Sequence, residues 1–334
     1  MNRSTIIGSG SWGITLGLLL AFQGKDVTIL TRDIRDENRL IKSSKAGHHI
    51  RGHEIPNSLT VSSDYERIIS NTDLLIFAVP SPTLRKNTKH IKKYLKPTTV
   101  ILSATKGLEN VTNKTMTDVI MDEFDNLIEE GQVGAISGPN LSGEISEGKL
   151  ALTTVAFTDL STAKTVQKYL NSPTLRPYTS TDLIGVQYGG ALKNIIAIAS
   201  GFVDGSNLGN NAKASLITRG LNEIKTLGIS QGAQEETFYG LSGIGDLITT
   251  CYSKLSRNYR FGNYLAKGLK VESCLEEVSG TVEGLNTTTS AYNIMQKHKL
   301  ELPIISSIYK VLYEDFPPDQ LIVDLMSRNL RKEL

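Results

Sequence analysis

The run Ser4-Thr5-Ile6-Ile7-Gly8-Ser9-Gly10-Ser11-Trp12-Gly13 joins a short β-type segment to a helix through glycines spaced G-x-G-x-x-G. Ser4–Ile7 reads as a strand that Gly8 ends, and a helical pattern runs from Ser11 to Phe22 with Gly24 as its stop. In that context each glycine has its own use. Gly8 makes the tight turn, Gly10 lets backbone approach a pyrophosphate, and Gly13 packs helix on strand. The helix start, with Ser11 and Trp12, then presents unpaired N–H groups and a positive dipole end to phosphate. A second β-branched run, Val27–Thr31, completes the unit and predicts a dinucleotide site. Arg32 follows that strand where a 2′-phosphate needs a cation, although Asp33 stands next to it. The pair favours NADP(H) and leaves NAD(H) open.

Alternation continues outward from this unit. Ile34–Ser43 reads as helix, and Leu74–Val79 is a continuous apolar strand of the kind buried on both faces. Ser81-Pro82 opens a further helix with a cap and a first-turn proline. Val100–Ser103, Val133–Ser137 and Ala151–Phe157 supply more strands, with a helix over Lys114–Ile128. This is the pattern of a doubly wound, Rossmann-type α/β domain. Beyond Thr181 the texture changes. Asp182 caps a long apolar helix, Leu183–Val203, and helical patterns follow at Ala212–Leu227, Ala233–Leu241, Asn258–Lys267, Cys274–Val278, Glu283–His298 and Pro303–Tyr313. The expected division is an α/β dinucleotide-binding domain over 1–180 and an all-helical substrate-binding and catalytic domain over 181–334.

A length of 334 residues fits two domains, and 36 basic against 34 acidic side chains leave a net charge of +2. That balance argues against nucleic-acid binding. The basic run Arg85, Lys86, Lys89, Lys92, Lys93, Lys96 lies on a predicted helix with Leu84, Ile91 and Leu95 opposite, and reads as a solvated face. Two cysteines, Cys251 and Cys274, exclude a disulfide framework. The apolar runs Ile14–Phe22 and Ile195–Val203 are about half the ~18–20 residues a membrane helix needs. Met1–Phe22 is broken by glycines and lacks a cleavage site. These features predict a cytoplasmic protein with no membrane partner. The histidines of His48-His49-Ile50-Arg51-Gly52-His53 read as a loop, so no metal is expected.

Candidate chemistry collects after the strands and in the helical half. Lys106, in Ser103-Ala104-Thr105-Lys106-Gly107, falls at the carboxyl edge of the sheet, where open α/β sheets bind ligands. Ser137-Gly138-Pro139-Asn140 ends another strand there. Lys193 lies in an apolar helix and leans over Gly189 and Gly190. Two mid-helix glycines cost roughly 1 kcal/mol each relative to alanine, and they suggest a cleared patch that admits a substrate. Asp246 follows a glycine pair, and Ser256-Arg257-Asn258 offers donors suited to a phosphate monoester.

Together the segments GSGSWG (8–13), SATKGLE (103–109), ISGP (136–139), IGVQYGGALKNIIAIASG (184–201), NAKASLITRG (211–220), GIGDLITTC (243–251), SRNYRFG (256–262) and VEG (282–284) resemble bacterial-type NAD(P)-dependent glycerol-3-phosphate dehydrogenase. The resemblance runs from end to end. It implies dinucleotide contacts by Ser11, Trp12, Arg32, Lys106, Ser142, Arg257, Thr281 and Glu283. It implies substrate contacts by Lys106, Gly138, Asn140, Lys193, Asp246, Ser256, Arg257 and Asn258. Lys193 would be the proton donor and acceptor in reducing dihydroxyacetone phosphate to sn-glycerol 3-phosphate, with Lys106 stabilising charge on the carbonyl oxygen. A homodimer is also implied. The chain departs from the family at SGPNLSGE (137–144), which usually reads closer to SGPSFAxE. Two other readings are a dehydrogenase of the same architecture for a 3-hydroxyacid or phosphogluconate, and a non-catalytic dinucleotide sensor. The first would lack the Ser256-Arg257-Asn258 triplet; the second would not need both Lys106 and Lys193.

Overall fold

The computed structural model describes residues 1–45, 55–278, 280–318 and 320. The histidines at 48, 49 and 53 lie outside them. The first half builds one sheet from β1 (Arg3–Ile7), β2 (Asp26–Leu30), β3 (Leu59–Ser62), β4 (Leu74–Phe77), β5 (Val100–Ser103), β6 (Val133–Ser137), β7 (Ala151–Phe157) and β8 (Leu175–Ser180). Their order is β3-β2-β1-β4-β5-β6-β7-β8. The helices of this half are α1 (Ser11–Ala21), α2 (Ile34–Lys45), α3 (Tyr65–Ile69), α4 (Leu84–Ile91), α5 (Met116–Glu123), α6 (Ser142–Ser146) and α7 (Leu160–Leu170). Strands β4 and β5 are almost wholly apolar, β1 is buried from Ser4 and ends in Ile6-Ile7, and the three pair in parallel. Their alternate side chains enter two separate cores, one holding Ile6, Ile76 and Leu102, the other Ile7, Leu75, Phe77 and Ile101. Burial on both faces explains the unbroken hydrophobic runs.

The chain leaves β1 for β2 on one side and later returns to β4 on the other. The switch point, with its crevice at the carboxyl ends, therefore lies between β1 and β4. Every strand pairing is parallel except β6–β7, which is antiparallel. Two strands do not show in the sequence pattern. Leu59-Thr60-Val61-Ser62 is short and half polar. Leu175–Ser180 contains Pro177, which argues against a central strand, but among the described residues β8 is the sheet's edge and pairs only with β7. An edge tolerates the missing N–H.

The second half contains α8 (Leu183–Gly205), α9 (Gly209–Ser230), α10 (Asp246–Tyr252), α11 (Arg257–Ala266), α12 (Val271–Val278), α13 (Glu283–His298) and α14 (Pro303–Tyr313). No strand follows Ser180 among the described residues. Asp182 caps α8 through Oδ1, which accepts from the Gly185 N–H at 2.8 Å. Its Oδ2 takes the Gln234 N–H and the Thr237 hydroxyl, at 3.0 and 2.5 Å. Those bonds fold 235–239 into a 3-10 turn, where the sequence pattern suggests an α-helix over Ala233–Leu241. From Gly185 to Val203 every residue of α8 is buried. It is the axle of the helical half, packed by α9, α10, α11, α13 and α14.

Two smaller expectations also change. Arg85 does not join the solvated face. Its guanidinium donates to Glu109, both bonds 2.7 Å, and to Glu123 at 2.6 Å. Ser81 does not cap the following helix, because its N–H and hydroxyl both go to the Glu283 carboxylate.

Candidate active site

The glycine turn packs on the end of β4 and on its own backbone. Gly8 has φ +124°, and a Cβ there would stand 2.5 Å from the Ala78 carbonyl oxygen. A Cβ on Gly13 would stand 2.1 Å from the Gly8 carbonyl oxygen. Gly10 differs, with no atom within 4 Å of its absent Cβ. The space above it is open, and α1 begins there with no side-chain cap and no acid in its first turn. Such a helix start suits an anion. Ser11 is exposed beside it. The Trp12 indole Nε1 is buried and has no acceptor among the described residues. Thr15 ties α1 to α6, donating from Oγ1 to the Ser142 carbonyl at 3.3 Å.

Beyond β2, the Arg32 side chain is 84% exposed and pairs with Asp36 at 3.1 Å. Asp33 is committed elsewhere. Its Oδ1 accepts the Arg35 and Asp36 N–H groups at 2.9 and 3.0 Å, and these backbone bonds hold its carboxyl below the usual range. Asp33 thus starts α2, while Arg32 points to solvent.

The loop after β5, the middle of α8 and the start of α10 meet in one buried cluster. Lys106 Nζ donates to the Gly138 carbonyl at 3.0 Å and to Asp246 Oδ2 at 2.7 Å. Lys193 Nζ donates to Asp246 Oδ1 and to Thr250 Oγ1, the latter at 2.8 Å. One carboxylate, 1% exposed, therefore bridges two ammonium groups, and Ser137 Oγ adds a bond to Asp246 Oδ2 at 3.3 Å. The set carries one positive charge in excess. Lys193, 7% exposed, has its pKa pushed down to about 8. Burial is the largest cause and the Lys106 charge adds to it, while Asp246 opposes both.

The glycines beneath Lys193 have a different use from the cleared substrate patch that the sequence suggests. A Cβ on Gly189 would meet the Ser242 carbonyl oxygen at 2.4 Å, and one on Gly190 would meet Ser137 Oγ at 2.4 Å. Protein atoms fill that space. The pair lets the turn before Asp246, and the end of β6, press onto α8.

The rim comes from further elements. Gly138 has φ +154° and lies against β7, its absent Cβ 3.0 Å from Thr153 Cα. Asn140 is turned to the same strand, accepting from Thr153 Oγ1 at 2.8 Å and donating to the Leu152 carbonyl at 3.2 Å. Ser256 caps α11 by accepting the Tyr259 N–H at 3.2 Å, and Arg257 is exposed at its first position. Asn258 joins three helices, donating to Asn194 Oδ1 at 2.8 Å and accepting from the Gly284 N–H at 2.9 Å. Glu283 reaches Ser81 at 3.0 and 2.5 Å, and Thr281 lies just before α13. Burial raises the Glu283 pKa, against the Ser81 bonds and the Arg257 charge. Thr250, Ser137 and Ser81 bond to Lys193, Asp246 and Glu283 respectively, contacts that sequence reasoning does not predict. For Thr250 there is a signal, since it lies four residues after Asp246 on one helix face.

The family model for the N-terminus of NAD-dependent glycerol-3-phosphate dehydrogenase matches residues 4–163, and the model for its C-terminus matches 182–323. The chain belongs to this family. A glycerol-3-phosphate dehydrogenase [NAD(P)+] from Fusobacterium nucleatum is 38% identical over 334 residues, covering 100% of this chain and 99% of that one. One from Dehalococcoides mccartyi is 40% identical over 336 residues, covering 100% and 93%. Among solved structures, a glycerol-3-phosphate dehydrogenase from Coxiella burnetii superposes with TM-score 0.91 at 31% identity, covering 98% of this chain and 99% of that one. In this family member, the open space at Gly10 and the uncapped start of α1 fit a dinucleotide pyrophosphate. Among the described residues no cluster of three or more His, Cys, Asp or Glu side chains could hold a metal. No helix among them is long and apolar enough to cross a membrane.

Proposed function

We propose that the protein reduces dihydroxyacetone phosphate to sn-glycerol 3-phosphate with NADPH or NADH, a step that supplies glycerophospholipid synthesis in the cytoplasm. We assign dinucleotide binding to residues 1–180 and substrate binding to residues 181–334, and the active form as a homodimer. One observation carries the reading: Lys106 and Lys193 share the Asp246 carboxylate at the sheet's carboxyl edge, leaving one buried positive charge to meet an anion. When bound, the dinucleotide would supply the hydride for C2 of the substrate. Lys193 gives its proton to the C2 oxygen, and in the oxidation direction takes it back. A pKa of about 8 keeps that proton available near neutral pH. Lys106 stabilises the oxygen's developing charge. Asp246 and Thr250 hold the Lys193 ammonium in place from two sides. Ser256, Arg257 and Asn258 at the start of α11 hold the phosphate, with Gly138 and Asn140 on the facing rim. Gly8, Gly10, Ser11, Trp12, Gly13, Arg32, Ser142, Arg257, Thr281 and Glu283 hold the dinucleotide.

The test is absorbance loss from NADPH, then from NADH, on adding dihydroxyacetone phosphate to wild type and to Arg32→Ala. The wild type should consume both components in a 1:1 ratio, and Arg32→Ala should raise KM for NADPH far more than for NADH. No turnover would sink the activity; equal losses would sink 2′-phosphate recognition by Arg32.

A further inference from the structure

The loop from the end of β5 to α5 carries Lys106, and it is fastened on two sides. On the sheet side, the Ala104 N–H donates to the Phe77 carbonyl at 2.8 Å and Thr105 Oγ1 to the Val79 carbonyl at 2.8 Å. Arg85 grips the Glu109 carboxylate through two bonds of 2.7 Å. On the other side the loop meets α13, more than 170 residues away in sequence. Leu108, 1% exposed, joins the apolar core of the helical half. Asn110 Nδ2 donates to Asn286 Oδ1 at 2.9 Å. Ser290 Oγ lies 3.3 Å from the Glu109 carbonyl and 3.4 Å from Asn110 Oδ1. Asn293 Nδ2 reaches Asn113 Oδ1 at 3.4 Å, where Asn113 has a left-handed φ of 60°.

Positions 283, 286, 290 and 293 are spaced three, four and three apart, so they form one stripe along α13. Its first member, Glu283, holds Ser81, against which Gly107 packs. The stripe thus touches the loop or its immediate support from Gly107 to Asn113. Lys106 precedes that held segment directly, and its ammonium must reach Asp246 on α10 and Gly138 after β6 together. A loop free on its α13 side would keep its sheet-side bonds at Ala104, Thr105 and Glu109, but the segment after Lys106 could shift and change how far the lysine reaches across the crevice.

We infer that Asn286 and Ser290 of α13, acting through Asn110 and the Glu109 carbonyl, are positioning residues for Lys106. Neither is among the residues assigned to a ligand. Their effect is on where the Lys106 ammonium stands relative to Asp246 and Lys193. The inference rests on the proposed activity for its kinetic consequence, though not for the geometry it claims.

The test compares wild type with Asn286→Ala, which removes the acceptor for Asn110, and Asn286→Asp, which keeps it. Asn286→Ala should lower kcat roughly tenfold, as a small misplacement of a catalytic group does, with KM for NADPH and Tm close to wild type. Asn286→Asp should restore most of the rate. In a Lys106→Ala background, Asn286→Ala should cost nothing more, because residues acting through one group are not additive. Equal losses in both backgrounds, or a loss that tracks Tm, would overturn the inference. A readout independent of turnover is the rate at which a trace acylating reagent modifies Lys106, followed by peptide mass. It should rise severalfold in Asn286→Ala and stay low in Asn286→Asp. An unchanged rate overturns the positioning role even if the wild type proves inactive on dihydroxyacetone phosphate, an outcome that would count against the activity alone.

Discussion

At the residue scale, the Lys193 ammonium is pulled in opposite directions by groups that can be changed singly. Burial and Lys106 lower its pKa, and Asp246 raises it. In the role proposed for Lys193, reduction uses the protonated lysine, so kcat/KM for dihydroxyacetone phosphate should fall as pH rises through about 8. Oxidation of glycerol 3-phosphate needs the free base and should rise through the same region. Lys106→Met removes a cation that disfavours the charged form, so the alkaline limb of the residual activity should move to higher pH. Asp246→Asn removes the carboxylate that favours it and should move the limb to lower pH. Lys193→Ala should abolish turnover while dinucleotide binding, followed by fluorescence titration, stays nearly intact. Limbs moving the same way in the Lys106 and Asp246 variants would refute this electrostatic account; wild-type-like turnover without Lys193 would refute its role. Thr250 adds to the cluster without changing its charge, donating its own hydroxyl back to the Asp246 carbonyl at 2.7 Å.

At the element scale, α8 and α11 nearly touch backbone to backbone. A Cβ on Gly262 would stand 1.8 Å from the Ile198 carbonyl oxygen, and one on Gly201 would stand 1.9 Å from that of Tyr259. This closeness brings Asn258, at the start of α11, within hydrogen-bond reach of Asn194, the neighbour of Lys193. Gly262→Ala must push the helices apart, and overpacking of this kind costs about 1–3 kcal/mol or more. We expect a lower Tm and a raised KM for dihydroxyacetone phosphate. Gly10→Ala is the counterpart, since its φ of −75° suits any residue and its Cβ would enter open space. It should keep Tm and lose dinucleotide affinity; a stable, fully active Gly262→Ala would contradict the packing argument. Local patterns made much of this legible. The Asp182 cap and the apolar run after it mark α8, and the glycine turn marks α1. What they could not show is pairing at a distance. Asp246, taken alone, looks like an ordinary acid at a helix start; only the fold brings it between lysines 140 and 53 residues away. Strand β8 was hidden by Pro177, which only an edge position makes harmless.

At the scale of the whole molecule, the change of texture near Thr181 marks where sheet gives way to helices, since β8 ends at Ser180 and α8 starts at Leu183. The pattern does not reveal how the halves are joined. The tie is apolar as well as polar: Leu108, from the loop after β5, is buried in the same core as Leu192, Ile195 and Ile198 of α8. Ala135 and Ala156 of the sheet likewise pack with Leu183 and Val186. With so much shared burial, the two halves should lose structure together, giving one unfolding transition by both near- and far-ultraviolet dichroism. Leu108→Ala removes a buried side chain and leaves a cavity, a change that costs about 2–5 kcal/mol. The cavity opens where a loop of the sheet half enters the helical core, while the two cores of the sheet stay filled. Urea unfolding of Leu108→Ala should therefore begin earlier and broaden or split, one part reporting the sheet half and the other the helices. Saturating NADPH binds only the folded form and should draw the sheet-half transition upward. A variant that melts in one sharp step at the wild-type midpoint would mean Leu108 does not couple the halves, and their cooperation would then rest on the α8–sheet contact instead.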